Sequence, residues 1–119
     1  MKIISHLVND IKIAEIISDQ IVIQSVQDGL DLFGDLYYQG CDKLIIYEKN
    51  LTPEFFDLKT KIAGDILQKF SNYRMSLAII GDFEKYQSKS IRDFIFESNK
   101  TKHINFTETL ENALERLGN

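Results

Sequence analysis

The chain has 119 residues, a hydrophobic fraction of 44% and a formal net charge of −4. This length and composition predict one globular domain with its own core and exclude a disordered chain. All of the net negative charge falls on residues 1–50, and no basic stripe suited to a nucleic-acid backbone follows. We therefore expect no nucleic-acid partner.

A single cysteine, Cys41, excludes an internal disulfide and indicates a reducing compartment. The N-terminal stretch MKIISHLVND reaches polar residues too soon for a signal peptide. No apolar run approaches the ~18 residues that a membrane-spanning helix needs. We therefore expect a cytoplasmic protein without membrane contact.

Two apolar-rich runs, Ile3–Val8 and Ile11–Ile17, open the chain on either side of Asn9-Asp10. Asn and Asp tolerate the left-handed backbone of a tight turn, so this pattern predicts a β-hairpin. The short run Ile21–Ile23 that follows is either another strand or the entry to the next helix.

The first helix is predicted to begin at Ser25 and to stop at Gly40. Asp28 follows Ser25 by three residues, which is similar to the capping box that begins many helices. Glycine at the end of a helical pattern supplies the left-handed stop. The buried stripe predicted for this helix consists of Val26, Leu30, Phe33 and Tyr37.

The rest of the chain alternates three strand patterns with three helix patterns. Apolar runs at 44–47 and 75–80 predict strands buried on both faces, and residues 103–106 predict a short last strand. A long helical segment starts at Pro53, with its main part from about Leu58. Ser88 and Thr107 are the predicted N-caps of the last two helices. The stripe predicted for the long helix consists of Ile62, Ile66, Phe70 and Tyr73.

The resulting order, β-β-α-β-α-β-α-β-α, predicts an α/β fold with a mainly parallel sheet of about five strands. This order resembles that of STAS domains, the anti-sigma-factor antagonist fold, and implies a single STAS-like domain over residues 1–119. The STAS phosphoserine motif, an Asp-Ser pair that opens the helix after the third strand, is absent, because the corresponding stretch reads DLKT.

Longer phrases resemble a second family. PEFFDLKTKIAGDILQKFSNYR, LAIIGDF and SKSIRDFIFESNK, which begin at residues 53, 77 and 88, resemble the bacterial domain-of-unknown-function family 4180. The phrase SVQDGLDL in the first helix extends the resemblance over most of the chain. That family often has Gly where Lys61 stands, so the turn before the long helix differs here. The resemblance implies no particular activity.

Polar residues collect where the predicted parallel strands end, which is where open α/β sheets bind ligands. Helix N-termini at the same edge offer free amides to an anion, so the pattern predicts a site for a small anionic ligand or nucleotide. The alternative is that several of these residues serve only as helix caps. The candidate contacts are Glu48, Asn50, Asp57, Lys59, Thr60, Gly81, Asp82 and Ser88.

Two other activities remain open at this edge. Glu48 and Asp82 end neighbouring strands, so their carboxylates would serve as an acid/base pair if they converged in one pocket. Thr60 is the positional counterpart of the hydroxyl that STAS domains phosphorylate. His6 and His103 lack the spacing of metal ligands, and no Gly-rich phosphate loop is present, so no metal or cofactor is predicted.

The function we favour from the sequence is a non-enzymatic regulatory or protein-interaction domain. A polar face on the long helix and an aromatic pair in the loop before it suit a protein partner, because aromatic residues are enriched at interfaces. An exposed edge strand would also allow a homodimer. The predicted partner contacts are Phe55, Phe56, Gln68, Asn72, Arg74 and Arg92.

Overall fold

A single sheet of five strands, in the order β1-β2-β3-β4-β5, organises the computed structural model, which describes all 119 residues. β1 and β2 are antiparallel, and the other neighbouring strands are parallel. The predicted α/β class with a mostly parallel five-stranded sheet is confirmed. The elements are β1 (Lys2–Val8), β2 (Ile11–Ile17), α1 (Val26–Tyr38), β3 (Lys43–Tyr47), α2 (Ile62–Asn72), β4 (Ser76–Ile80), α3 (Lys89–Thr101), β5 (Ile104–Thr107) and α4 (Leu110–Leu117).

The opening hairpin is confirmed. Asn9 and Asp10 have φ values of 51° and 66°, which is the left-handed pair that a type I′ turn requires. The turn sets Val8 opposite Ile11, and the register continues without interruption to Lys2 opposite Ile17. β1 is therefore seven residues of regular strand whose other edge pairs with nothing in the chain.

Alternate side chains of the sheet enter two separate cores. The larger core lies under α1, α2 and part of α3, and its centre is an edge-to-face pair of Phe33 and Phe70 with ring centroids 4.1 Å apart. The smaller core lies on the opposite face, where Ala113 and Leu117 of α4 cover the inner strands. None of the four helices combines the length with the apolar character needed to cross a bilayer.

The two tyrosines placed on buried stripes are exposed, which corrects the prediction. Tyr37 and Tyr73 are each 63% exposed. The buried stripe of α1 runs through Gly29, Leu32, Phe33 and Leu36, so the flank that carries Tyr37 faces solvent. Tyr73 is the C-cap of α2, where the backbone has left the helix and helical spacing no longer sets the side-chain direction.

Helix starts also differ from their predicted positions. Thr107 belongs to β5, where its hydroxyl donates to the Ile79 carbonyl at 3.2 Å, and Thr109 caps α4 instead. The long helix begins at Ile62, after short 3-10 turns at Pro53–Phe56 and Leu58–Thr60. Because of these turns, α2 begins about four residues later than the predicted start near Leu58.

Lys61 joins those turns to α2 with a left-handed φ of 66°. A left-handed backbone costs a residue with a Cβ about 1–2 kcal/mol, and glycine escapes that cost. We expect Lys61→Gly to raise the free energy of unfolding by about 0.5–1 kcal/mol in urea denaturation.

The matched control is Lys69→Gly inside α2, which should lower the free energy of unfolding by about 1 kcal/mol, because the backbone there is helical. Equal losses of stability in the two variants would show that residue 61 does not occupy the left-handed region.

Candidate functional site

The carboxyl ends of the parallel strands meet at one edge of the sheet, called here the strand-end edge. Glu48 directly follows β3, and Gly81 and Asp82 directly follow β4. The register of β3 and β4 sets Tyr47 opposite Ile80, so these three residues emerge side by side. To this extent the structure brings the predicted residues together.

Glu48 ties the segment after β4 to the sheet. Its Oε2 lies 2.8 Å from Lys85 Nζ, and the Tyr86 hydroxyl donates to the same oxygen. Burial, that hydrogen bond and the negative charge of Glu48 together raise the pKa of Tyr86. The carboxylate is thus engaged within the chain.

Gly81 makes room for this ion pair. A Cβ built on Gly81 would lie 2.6 Å from Glu48 Oε1 and 2.7 Å from Glu48 Cβ, closer than real Cβ contacts allow. The Gly81 amide also donates to the Thr107 carbonyl at 3.0 Å, which keeps the backbone in place. Gly81 is required by packing and presents no side chain to a ligand.

Asn50 is fully buried, so the prediction that it contacts a ligand is wrong. Its side-chain amide donates to the carbonyls of Ser18 and Gln20 at 2.8 and 2.9 Å. Its Oδ1 accepts from the Tyr47 amide at 3.3 Å. Asn50 fixes the loop after β2 to the end of β3, a contact between segments that are distant in sequence.

Several of the other predicted contacts satisfy local backbone groups. Asp57 accepts from the Lys59 amide at 3.1 Å, and Asp82 accepts from the Glu84 amide at 3.2 Å. The Thr60 hydroxyl oxygen lies 2.7 Å from the Glu54 carbonyl oxygen and 2.8 Å from that of Asp57. These are the capping and turn roles that were the alternative to ligand binding.

Ser88 occupies the N-cap position of α3, but its side chain makes no capping hydrogen bond. Lys59 is exposed in the 3-10 turn before α2. Both positions were predicted as ligand contacts, and no bond within the chain commits either side chain to another role.

An open cavity of about 320 Å³ lies at the strand-end edge. Phe56 stacks on Tyr86 beside it, with ring centroids 4.7 Å apart and an interplanar angle of 15°. Glu48 is the one predicted ligand contact that lines the cavity. Lys49 and Lys85, which were not predicted as contacts, also line it. The other predicted contacts are thus not gathered around one pocket.

The predicted partner surface is also corrected. Phe55 is 0% exposed, so it belongs to the larger core and cannot contact a partner. Phe56 is half-buried against Tyr86, whereas the remaining predicted contacts are exposed. Those exposed residues are Gln68, Asn72, Arg74 and Arg92.

A buried acidic cluster was missed by the sequence analysis. Glu15 is 3% exposed, and its two carboxylate oxygens lie 2.8 Å from His6 Nε2 and 2.7 Å from the Tyr47 hydroxyl. The sequence did contain one signal, which is that Glu15 lies among apolar residues in a predicted strand. A carboxylate that is buried in such a strand needs hydrogen-bonding partners, so polar side chains on neighbouring strands were to be expected. His103 precedes β5, at the opposite edge of the sheet from His6.

Exposed apolar side chains lie on and beside the free edge of β1. Leu7 is 72% exposed, Tyr38 at the end of α1 is 95% exposed, and Met1 and Ile3 are also exposed. Met1, Ile3 and Tyr38 line one open cavity of about 430 Å³ between β1 and α1. The β1 strip, as used below, is the outer edge of β1 with Met1, Ile3, Leu7 and Tyr38.

The chain belongs to a family described as a domain of unknown function, DUF4180, whose model matches residues 8–117. No curated protein and no solved structure matches the chain significantly. No group of three or more His, Cys, Asp or Glu side chains is placed to hold a metal ion. Family membership confirms the resemblance found in the sequence and assigns no activity.

The close approach of Glu48 to Gly81 is testable by substitution. Gly81→Ala forces a Cβ against the Glu48 side chain, and overpacking of this kind costs about 1–3 kcal/mol of unfolding free energy. Gly34→Ala is the control, because nothing lies within 4 Å of its Cβ position in α1, and it should stabilise by about 0.5–1 kcal/mol. Thermal or urea unfolding measures both, and a neutral Gly81→Ala would contradict the packing.

Titration tests the buried acidic cluster. Burial, the hydrogen bond to Glu15 and its negative charge raise the pKa of Tyr47 from 10.0 to about 12. The neutral phenol therefore stabilises the fold fully below pH 10, and this contribution is lost as the pH rises through about 12. The measurement is the tyrosinate absorbance as a function of pH in the wild type and in Tyr47→Phe. The difference between the two curves is the titration of Tyr47, and we expect its midpoint near 12.

Glu15→Gln is the matched variant for this titration. It removes the carboxylate charge but keeps the burial, so the Tyr47 midpoint should move only part of the way back towards 10. An unchanged midpoint in Glu15→Gln would mean that the carboxylate does not act on Tyr47.

Proposed function

We propose that this chain is a non-enzymatic protein-interaction domain that binds an extended strand of its partner along β1. The observation that carries the proposal is the free edge of β1, with seven regular residues and a complete register on its inner side. Free edges expose unpaired backbone donors and acceptors, and proteins usually protect them with charges, proline or bulges. β1 contains no proline and, apart from Lys2 at its start, no lysine or acid.

The side chains beside this edge support protein binding over other ligands. Strand addition supplies affinity through backbone hydrogen bonds and specificity through alternate side chains that enter pockets. Ile3 and Leu7 are exposed apolar side chains on the same face of β1, and the cavity of about 430 Å³ lies beside Ile3. Clustered apolar side chains at a surface are typical of a binding site.

The strand-end edge gives weaker support to a small ligand or to an enzyme. Asn50 is buried, and Glu48 is bonded to Lys85 and Tyr86. Asp82 is bonded within its own turn, so the two carboxylates proposed as an acid/base pair have different partners. Two secondary predictions remain. One is a phosphorylated Thr60, and the other is a site for a small ligand or nucleotide at Glu48, Asp82, Thr60 and Ser88.

We also propose that the fold is STAS-like and that the domain has a regulatory role. Its support is the alternation of strands and helices after an antiparallel first strand, with α4 alone on the second face of the sheet. The regulatory role rests on this likeness in topology and on the binding surface at β1.

Site-specific photo-crosslinking in the host cytoplasm tests the proposed surface. A p-benzoylphenylalanine in place of Leu7 should give a covalent adduct with a protein partner, because Leu7 projects beside the free edge. The same residue in place of Gln68, exposed on α2, is the control and should give none.

Adducts at position 68 but not at position 7 would place the interface on α2 instead. The absence of adducts at both positions would contradict the interaction function itself. Circular dichroism of both variants confirms that the fold is kept.

A further inference from the structure

We infer that the partner of the β1 strip is a second copy of this chain, paired antiparallel through β1 across a two-fold axis at Ser5. This inference rests on the proposed function, because it assumes that β1 accepts an added strand. Three observations favour a second copy: the direction of the free backbone groups, the order of the side chains and the positions of the charges.

The turn determines which backbone groups of β1 are free. In a type I′ turn the carbonyl of the first residue accepts from the amide of the fourth, so Val8 and Ile11 form a hydrogen-bonded pair. Hydrogen-bonded pairs alternate along an antiparallel ladder. The N–H and C=O groups of Ile3, Ser5 and Leu7 therefore point away from β2.

A two-fold axis at Ser5 uses all of these groups. Ser5 then faces Ser5 of the second copy, and Ile3 faces its Leu7 on each side of the axis. These are the pairs whose free backbone groups face each other, so the ladder gains a complete set of hydrogen bonds. A shift by one residue would leave those groups unmatched.

The order of the side chains on this face is also self-complementary. Ile3, Ser5 and Leu7 read apolar, small polar, apolar in either direction, as a symmetric interface requires, because residues i and j exchange places across the axis. Ile3 and Leu7 are both exposed, and Tyr38 of α1 lies beside Ile3. Pairing would cover this apolar group in both copies.

The charges lie where a two-fold arrangement tolerates them. A residue on the axis meets its own copy, which excludes a charged side chain there, and Ser5 is neutral. Lys2 and Asp10 lie at opposite ends of the hairpin. Antiparallel pairing brings Lys2 of one copy opposite Val8 of the other copy. Asp10 of that other copy is two residues beyond its Val8, so a positive and a negative charge lie near each other at each end of the pairing.

The test is the molar mass of the full chain by light scattering across a dilution series. The wild type should have twice the chain mass of 13.8 kDa and should dissociate on dilution. Ser5→Lys and Ser5→Asp each place like charges face to face on the axis, so each variant alone should be monomeric. An equimolar mixture should recover the dimer, because Lys and Asp then face each other.

Gln68→Lys on exposed α2 is the charge control and should keep the dimer. A monomeric wild type at every concentration overturns the inference, as does a mixture that stays monomeric. A monomer whose position 7 still crosslinks to a different protein would overturn the second copy as partner but leave the proposed function intact. A folded state confirmed by circular dichroism is required of each variant.

Discussion

The carboxylate of Glu15 joins the antiparallel hairpin to the parallel part of the sheet. It sits on β2, and its two oxygens bond to His6 on β1 and to Tyr47 on β3. A buried charge that loses a partner costs about 3–5 kcal/mol, so these contacts fix the three strands in one register. The position of β1 depends on that register. Its outer edge is exposed because β1 is the last strand of the sheet on that side.

The polar residues at the strand ends show how a surface can resemble a ligand site while serving the fold. Asn50 holds a loop, Glu48 holds the segment after β4, and Gly81 leaves space for the Glu48 side chain. Parallel strands bring such residues together whether or not a ligand binds, because every loop that leaves this edge needs its backbone groups satisfied. The surface at β1 differs, since its free groups are those of the backbone itself.

The fold was predictable where local chemistry decides it and failed where distant contacts do. Asn9-Asp10 predicted the hairpin because both residues accept positive φ. Glu15 gave no indication of its partners, because the pairing with His6 and Tyr47 exists only after the strands assemble. The burial of Asn50 likewise depends on a loop thirty residues away in sequence. The local turn and cap bonds of Asp57, Thr60 and Asp82 were foreseeable as the alternative to ligand binding. The distant contacts of Glu48 and Asn50 were not.

The strands lie in the sheet in the same order as in the chain, which has a consequence for folding during synthesis. Each new strand leaves the ribosome next to the one it pairs with, so the sheet and the larger core can grow by short steps. The smaller core cannot, because its cover is α4 at Leu110–Leu117. Until α4 emerges, Ile13, Ile45 and Ala78 stay open to water, and exposed apolar surface of this kind makes a partly folded chain prone to aggregate.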